Sequence, residues 1–269
     1  MICVTRQRGG VRRLEIYHPR PEQISLFMRA LRPLDVILVR GSQTRLASYP
    51  AIVSERTTQT TTIDLSLSES ELMRRMSYGD WRQKLRKAAR LGERLEVRTN
   101  DTATCADFLD MYNRFVDRKG FGVRPLNWTR MAKFEGLYDV FAGYIDGKPL
   151  AAQLALRDED ERRIIMAFAV SVRLEGDADP ALVGCVNRYL FWHVMRHYKG
   201  LGFLVYDFAG INREKVPTIT RFKLSLGGEV VTLHDYVIAG WVARRVIKLR
   251  EASRRLLDRS GFEQRVWSI

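Results

Sequence analysis

The 269-residue sequence predicts an α/β protein in which helices flank a central mixed sheet and a small N-terminal unit precedes the main domain. Three observations support this prediction. Two apolar runs in residues 140–156 flank an Asp146-Gly147 turn and predict a β-hairpin. A helical segment begins at the N-cap and first-turn pair Asp179-Pro180. A β-rich run, Val205–Phe208, follows that helix, so strands and helices alternate within a chain long enough for a well-buried core.

The predicted N-terminal unit covers residues 1–65. The elements expected there are strands at Leu14–Tyr17 and Val36–Val39, with a helix at Pro21–Leu31 between them. A threonine-rich run, Thr57–Thr62, leads into Ile63–Leu65. Because β-branched residues favour strands, we expect an edge strand there.

The predicted main domain covers residues 66–269. Its expected elements are, in order, a helix over Leu72–Arg90 broken near Gly79, a strand at Leu95–Val97, a helix over Ala103–Arg118, strands at Val140–Ile145, Pro149–Leu156 and Ile164–Val172, a helix over Pro180–Tyr198, a strand at Phe203–Phe208, a strand pair near Glu229–Leu233 and Tyr236–Ile238, and a basic helix over Trp241–Arg259. Ser68 is the expected N-cap of the first helix, because Glu71 follows it by three residues.

The chain is strongly basic, with 45 Lys and Arg residues against 31 Asp and Glu residues, a net charge of +14. The excess is clustered. Residues 74–98 carry nine basic and three acidic side chains, and residues 240–269 carry eight and three. Clustering favours an anionic partner, namely RNA, a nucleotide, an anionic lipid or a pyrophosphate-linked glycan carrier. A solvated basic surface is the alternative interpretation.

The three cysteines, Cys3, Cys105 and Cys185, are far apart and lack CxxC spacing. This pattern argues against a disulfide framework or a zinc site, and it fits a protein of the reducing cytoplasm. We find no apolar segment of signal-peptide type at the N-terminus and no run of membrane-spanning length. Any membrane contact is therefore expected to be peripheral.

Two segments of the sequence are the strongest candidates for function. In the basic stretch Trp81–Arg90, Trp81, Leu85 and Ala88 share one helix face, whereas the basic side chains lie off that face; these are Lys84, Arg86, Lys87 and Arg90. The second segment is the run Val205–Gly210, followed by Phe222-Lys223. Strand ends of this kind form ligand sites in α/β proteins. Together the segments predict an enzyme that acts on a phosphate-bearing donor or acceptor.

The chain resembles the Fem-like branch of the GNAT acyltransferase superfamily over roughly residues 65–240. The motifs that carry the resemblance are Trp81-x-x-Lys84-x-Arg86-Lys87, Tyr206-Asp207-Phe208-x-Gly210 and Phe222-Lys223-x-x-x-Gly227-Gly228. That branch includes the Fem peptidyltransferases, which use aminoacyl-tRNA to build peptidoglycan cross-bridges, and shorter proteins associated with cell-surface polysaccharide synthesis. The resemblance implies a GNAT-like fold. Two complete GNAT-like units need more than 269 residues, so we expect a small or truncated N-terminal unit.

The resemblance also implies residue roles. Phe222 and Lys223 would lie at the substrate and donor site, with the lysine stabilising the negative charge that develops during acyl transfer. Asp207 is a candidate catalytic base, acceptor anchor or structural hydrogen-bond acceptor. Tyr206 and Trp81 are candidate substrate contacts, together with the basic side chains of the Trp81–Arg90 stretch. These roles require that the Lys223 ammonium face a cleft.

The donor is predicted to be aminoacyl-tRNA, and the acceptor an amine or hydroxyl of a small molecule or glycan intermediate. An acyl-CoA donor is the enzymatic alternative, since residues 173–178 formally match a pyrophosphate loop and make Arg173 a candidate donor contact. However, Glu175, Asp177 and Asp179 would repel a pyrophosphate there. A GNAT-derived RNA-binding module without activity is the non-enzymatic alternative.

The basic stretch Trp81–Arg90 has three interpretations, which are tRNA contact, scaffold, and contact with anionic membrane headgroups. His193 and His197 share a helix face, but the HExxH pattern of metalloproteases is absent from the sequence, so we expect a packed or surface pair. The sequence predicts neither a metal nor a redox cofactor.

Overall fold

The computed structural model describes residues 1–46, 49–119, 125–176, 178–214 and 216–257. Its strands are β1 Ile2–Arg8, β2 Val11–Tyr17, β3 Val36–Ser42, β4 Ile52–Asp64, β5 Leu95–Thr99, β6 Tyr138–Ile145, β7 Lys148–Asp158, β8 Arg163–Ser171, β9 Val205–Ile211 and β10 Glu229–Ala239. Its helices are α1 Pro21–Arg29, α2 Glu69–Arg75, α3 Gln83–Ala89, α4 Thr102–Lys119, α5 Trp128–Met131, α6 Pro180–Gly200, α7 Pro217–Leu224 and α8 Trp241–Leu257. The predicted α/β class is confirmed.

The chain divides into two compact units, one formed by Met1–Gln59 with Val231–Ile269 and the other by Thr60–Val230. This grouping differs from the division predicted at residue 65, because the C-terminal helix α8 belongs to the first unit. That residues 1–65 and 66–269 form separate domains stays a prediction.

In the first unit the strand order is β1-β2-β3-β10-β4. Strands β1 and β2 form an antiparallel hairpin, β2 and β3 run parallel, and β10 pairs antiparallel with β3. Helix α1 connects the two parallel strands, and Ile24 packs from this helix into the core. The other members of that core are Leu14, Ile16, Ile37, Val39, Tyr236 and Ile238.

In the second unit the strand order is β4-β9-β8-β7-β6-β5. Strands β5 to β8 form an antiparallel meander, and β9 runs parallel to β8. Helix α6 covers one face, where the ring of Phe141 meets His197 and Tyr198. Helix α4 covers the other face, where the hydroxyl of Tyr144 donates to Asp107 at 2.8 Å.

Two strand predictions are wrong. Strand β4 has β10 on one side and β9 on the other, so it is not an edge strand. The predicted strand pair in residues 229–238 is one strand, β10, whose register against β3 shifts between His234 and Tyr236. The helical pattern over Leu72–Arg90 is interrupted as predicted, by a π-helical turn at Tyr78–Arg82 between α2 and α3. The last two residues of the predicted C-terminal helix, Asp258 and Arg259, lie outside the described residues.

Candidate active site

A cleft of about 650 Å³ opens in the second unit where β8 and β9 separate. The parallel pairing joins Arg163–Ile165 to Val205–Asp207 and ends there. Beyond that point Met166–Ser171 of β8 line the cleft, and helices α4, α6 and α7 supply its walls. Its lining is mostly apolar, with a few polar side chains, which is the composition of a small-molecule site.

Lys223 lies in the last turn of α7 and lines this cleft. The side chain is only 8% exposed, and its Nζ donates to the carbonyl oxygens of Gly210 at 2.8 Å and Ala209 at 3.4 Å. Among the described residues it forms no ion pair. Burial lowers the pKa of Lys223 to about 8, although the nearby Asp207 carboxylate raises it. At neutral pH the cleft therefore holds a cation that no described carboxylate pairs with.

Ala209 shapes the strand beside this lysine. Its φ of +57° is left-handed, a conformation that is uncommon for a residue with a Cβ. Its carbonyl oxygen accepts from both Lys223 and the hydroxyl of Thr60, at 2.9 Å from the latter. The distorted segment of β9 therefore turns a carbonyl toward the Lys223 ammonium and helps to hold it at the cleft.

The structure corrects the catalytic assignment of Asp207. The carboxylate is 1% exposed and is absent from the lining of the cleft. One oxygen accepts from the Thr60 hydroxyl and from the Ala209 amide at 2.8 Å, and the other accepts from Arg163 Nη1 at 3.1 Å. Because both oxygens are occupied by structural donors, Asp207 joins strands β4, β8 and β9 and is not placed to act as a base.

Tyr206 and Trp81 are likewise packing residues, and the prediction that they contact substrate directly is corrected. Both side chains are 0% exposed. The Tyr206 hydroxyl donates to Gln153 at 2.9 Å, and the Trp81 indole N–H donates to the Ser225 hydroxyl at 2.7 Å. The Trp81 ring lies 5.2 Å from the ring of Phe222, which is half-buried and lines the cleft. Trp81 therefore packs against Phe222 from the buried side and not from the cleft.

The predicted basic contacts separate into two groups. Lys84 is half-buried and is not itself part of the cleft lining, but its Nζ lies 3.4 Å from the position that a Cβ on Gly184, a lining residue, would occupy. Arg173 is exposed and also lines the cleft. The remaining predicted contacts are exposed and do not line it; these are Arg86, Lys87 and Arg90.

Sequence reasoning missed Arg188, a cation on the cleft wall that is 8% exposed. Its guanidinium carbon lies 5.2 Å from the Phe222 ring centroid and 5.6 Å from that of Trp81. A signal was present in the sequence, since Arg188 occurs among apolar residues of α6 such as Val186 and Leu190, which are buried. A charge at a core position of a helix is a reason to suspect a site.

Two carboxylates at the formal pyrophosphate loop already have protein partners. The Asp179 side chain caps α6 by accepting from the Ala181 amide at 2.8 Å, and Glu175 accepts from Arg114 at 3.1 Å. Asp177 lies outside the described residues. The N-terminus of α6 therefore has an amide donor already occupied by an acidic side chain.

No group of three or more metal-binding side chains occurs in the described part of the chain. His193 is half-buried, and desolvation, together with His197 and Arg196, lowers its pKa. The ring of His197 packs against Phe141 at 5.4 Å. His197 is otherwise exposed, so one histidine is half-buried and the other lies at the surface, within the packed or surface pair that the sequence predicted.

The fold is similar to several solved structures of low sequence identity. FemX superimposes with a TM-score of 0.64 at 10% identity, covering 93% of this chain and 86% of that one. The C-terminal domain of a putative lysylphosphatidylglycerol synthetase from Agrobacterium fabrum gives 0.55 at 15% identity, covering 94% and 84%. L-PGS from Bacillus licheniformis gives 0.53 at 12% identity, covering 96% and 86%. The predicted GNAT-like fold and its resemblance to Fem-like proteins are thus confirmed at the level of the fold.

No protein with a curated description matches the sequence. Within the described residues, no helix is long and apolar enough to cross a membrane. The family model described as "Acetyltransferase (GNAT) domain" matches residues 77–223, which is more than half of the chain and includes the motifs around Trp81 and Lys223. The chain belongs to the GNAT acetyltransferase domain family.

Proposed function

We propose that this protein transfers an aminoacyl group from aminoacyl-tRNA to an amine or hydroxyl of a small molecule or of a cell-surface glycan or peptide intermediate. The observation that carries this proposal is the buried ammonium of Lys223, which forms no ion pair with a described residue, on the wall of a mostly apolar cleft. Attack on the ester carbonyl produces an oxyanion. A fixed ammonium in a desolvated cleft stabilises that charge by about 3 kcal/mol, as oxyanion-hole donors do.

The remaining chemistry rests on positioning. Among the described residues that line the cleft there is no carboxylate and no histidine. The nucleophile forms a bond to the carbonyl carbon, the bond to the ribose oxygen breaks, and the proton of the nucleophile passes to that oxygen. Holding the two substrates in contact supplies much of the acceleration for such a step. Phe222, supported by Trp81, gives the cleft an apolar surface for this purpose.

Two features favour aminoacyl-tRNA over acyl-CoA. The carboxylates of Glu175 and Asp179 lie where a CoA pyrophosphate is expected, and Asp179 already caps α6. Helix α3 exposes Arg86 and Lys87 to solvent, and Arg90 directly after it is exposed too, a pattern that suits non-specific contact with an RNA backbone. The implied relationship to Fem-like aminoacyltransferases agrees with this choice. The acyl-CoA alternative is favoured by the acetyltransferase name of the family.

A direct transfer assay tests the proposal. Bulk tRNA charged with a mixture of labelled amino acids is incubated with the purified protein and a cell extract that supplies acceptors. Label is then measured in products that chromatography separates from tRNA and from free amino acids, so that both ester and amide products are counted. We expect transfer with the wild type, a loss of about 100-fold or more in Lys223→Met, and no change in Lys148→Met. Lys148 is the matched control because it is an exposed lysine at the β6–β7 turn.

Three results would each point away from the proposal. Transfer from labelled acetyl-CoA and not from aminoacyl-tRNA would replace the proposed donor by acyl-CoA. Thermal stabilisation by tRNA without transfer from any charged tRNA would identify a binding module. Equal transfer by wild type and Lys223→Met would remove the lysine from the mechanism.

A further inference from the structure

Arg188 is a buried cation whose charge the described part of the chain leaves unpaired. The side chain is 8% exposed, and Nη1 donates to the Gly184 carbonyl oxygen at 3.0 Å within α6. Nε is buried and has no hydrogen-bond partner, and the guanidinium forms no ion pair with any described residue. A buried donor without an acceptor is costly, so its presence at a cleft calls for an explanation.

The surroundings of Arg188 offset only part of this cost. The rings of Trp81 and Phe222 lie within cation–π distance, at 5.6 and 5.2 Å. Desolvation nevertheless lowers the pKa of Arg188, and the attraction of Asp80 does not restore it. The free protein therefore keeps a charge where it is unfavourable. This arrangement is typical of a site that is completed by an anionic ligand.

Two other cations lie close to Arg188, one beside the lining residue Gly184 and one in the lining itself. A Cβ placed on Gly184 would lie 3.4 Å from Lys84 Nζ and 3.5 Å from Arg188 Nη1, so a group seated over Gly184 meets both. Arg173 lines the cleft, and its charge is close enough to Arg188 to lower the pKa of that group. In the described residues neither Lys84 nor Arg173 forms an ion pair.

We propose that Lys84, Arg173 and Arg188 form a phosphate-binding subsite over Gly184 on the wall of the cleft. A guanidinium and an ammonium can together donate to several oxygens of a phosphate. A carboxylate ligand would bring only one negative charge to three cations, so a phosphate is the better match. The subsite adjoins the reacting centre, because Arg188 contacts Phe222 and the next residue is Lys223. Only the source of the phosphate rests on the proposed function. With aminoacyl-tRNA as the donor, it is the phosphate nearest the 3′-terminal adenosine.

Binding of small probes tests the subsite. The dissociation constants of adenosine 5′-monophosphate and adenosine are measured by calorimetry, alongside phosphopantetheine and pantetheine, at constant ionic strength. We expect the wild type and the exposed control Lys148→Met to bind the phosphorylated member of a pair at least about tenfold more tightly, since charge-assisted hydrogen bonds are lost without it. A preference confined to the adenosine pair assigns the site to the nucleotide donor, whereas one confined to pantetheine assigns it to CoA.

Two variants remove the subsite in different ways. In Arg188→Met the phosphate preference disappears, and the melting temperature of the free protein rises because an uncompensated buried charge is gone. Gly184→Ala keeps every charge and fits sterically, since its Cβ stands in ordinary contact with the two cations, but it occupies the place of the phosphate. We expect it to fold at least as stably as the wild type, because alanine favours the helix, and to lose the preference.

A phosphate preference that survives in both variants overturns the proposal. So does an Arg188→Met protein that is less stable and binds phosphate as before, because the arginine is then only a packing residue. Loss of the preference in a protein that transfers no aminoacyl group leaves the subsite standing and rejects the function. Aminoacyl transfer with an unchanged KM in Arg188→Met rejects the subsite and leaves the function standing.

Discussion

Replacement of Lys223 by methionine should stabilise the free protein while abolishing its activity. Lys223 carries an ammonium group that is 8% exposed and lacks an ion-pair partner among the described residues. Methionine has a similar length, so it fills the channel of the lysine stem without adding a charge. The carbonyl oxygens of Gly210 and Ala209 each lose one donor in this variant.

The size of the effect follows from the pKa of Lys223. In the folded protein it is about 8, against an ordinary value of 10.5. The unfolded chain therefore binds the proton more tightly, and below pH 8 burial of the ammonium costs about 3 kcal/mol. The two hydrogen bonds lost by methionine offset about 1 kcal/mol of this. We expect Lys223→Met to be more stable by about 2 kcal/mol at pH 7.

The pH dependence has a definite sign. Between pH 8 and 10.5 the folded lysine has lost its proton while the unfolded one keeps it, so the wild type gains stability as the pH rises. By pH 10 the burial cost falls to about 1 kcal/mol, and the two proteins should be equally stable. Urea denaturation at pH 7 and pH 10 measures both differences, with Lys148→Met as the control that changes neither. A less stable Lys223→Met protein at pH 7, with a difference that is independent of pH, would refute the reasoning.

Three further substitutions test the supports of the site, each by urea denaturation. Asp207→Asn should lower the free energy of unfolding by about 3 kcal/mol, because Arg163 then keeps a nearly buried charge without its partner; a loss below about 1 kcal/mol contradicts this. Trp81→Ala should cost about 3–5 kcal/mol, since it empties a fully buried site, and a small loss would mean that the rings repack. Gly227→Ala should cost more than Gly202→Ala, because both have positive φ but only at Gly227 would a Cβ clash, at 2.3 Å from a carbonyl oxygen at the end of α2. Equal losses would rule out the clash.

Local signals in the sequence predicted the turns and helix starts. Asp146 and Gly147 both have positive φ, 49° and 77°, as the hairpin between β6 and β7 requires. The Ser68 hydroxyl accepts from the Glu71 amide at 3.2 Å, and Asp179 caps α6. These features depend on residues within four positions of each other, so the sequence contains all the information needed.

Strand neighbours could not be predicted in the same way. Threonine-rich β4 resembles an edge strand because its side chains alternate weakly in polarity, yet β9 and β10 lie on its two sides. Strand β10 is predicted as two strands, near Glu229–Leu233 and Tyr236–Ile238. In the structure the break between them is only a shift in register against β3, between His234 and Tyr236. In both cases the deciding partner is far away along the chain, and residue type alone does not identify it.

The site residues show a similar division. Phe222 and Lys223 of the predicted motifs line the cleft, whereas the same motifs contain side chains that do not reach it. The roles of all these residues stay predictions. Trp81 and Asp207 support the lining residues, through packing in the first case and hydrogen bonds in the second. The spacing of residues in a motif does not distinguish a residue that lines the cleft from one that supports such a residue. Burial and the direction of each side chain separate them, and those follow from the whole fold.

The arrangement around Trp81 explains why motifs about 140 residues apart act together. Its ring contacts Phe222 of α7 and the guanidinium of Arg188 of α6, and its N–H is held by the Ser225 hydroxyl at the end of α7. One buried aromatic side chain therefore positions both Arg188 and the turn that carries Lys223. Because water is largely excluded there, neither charge is well screened. A cleft with two such cations and, in the described lining, no carboxylate suits a donor that brings a phosphate and develops an oxyanion beside it.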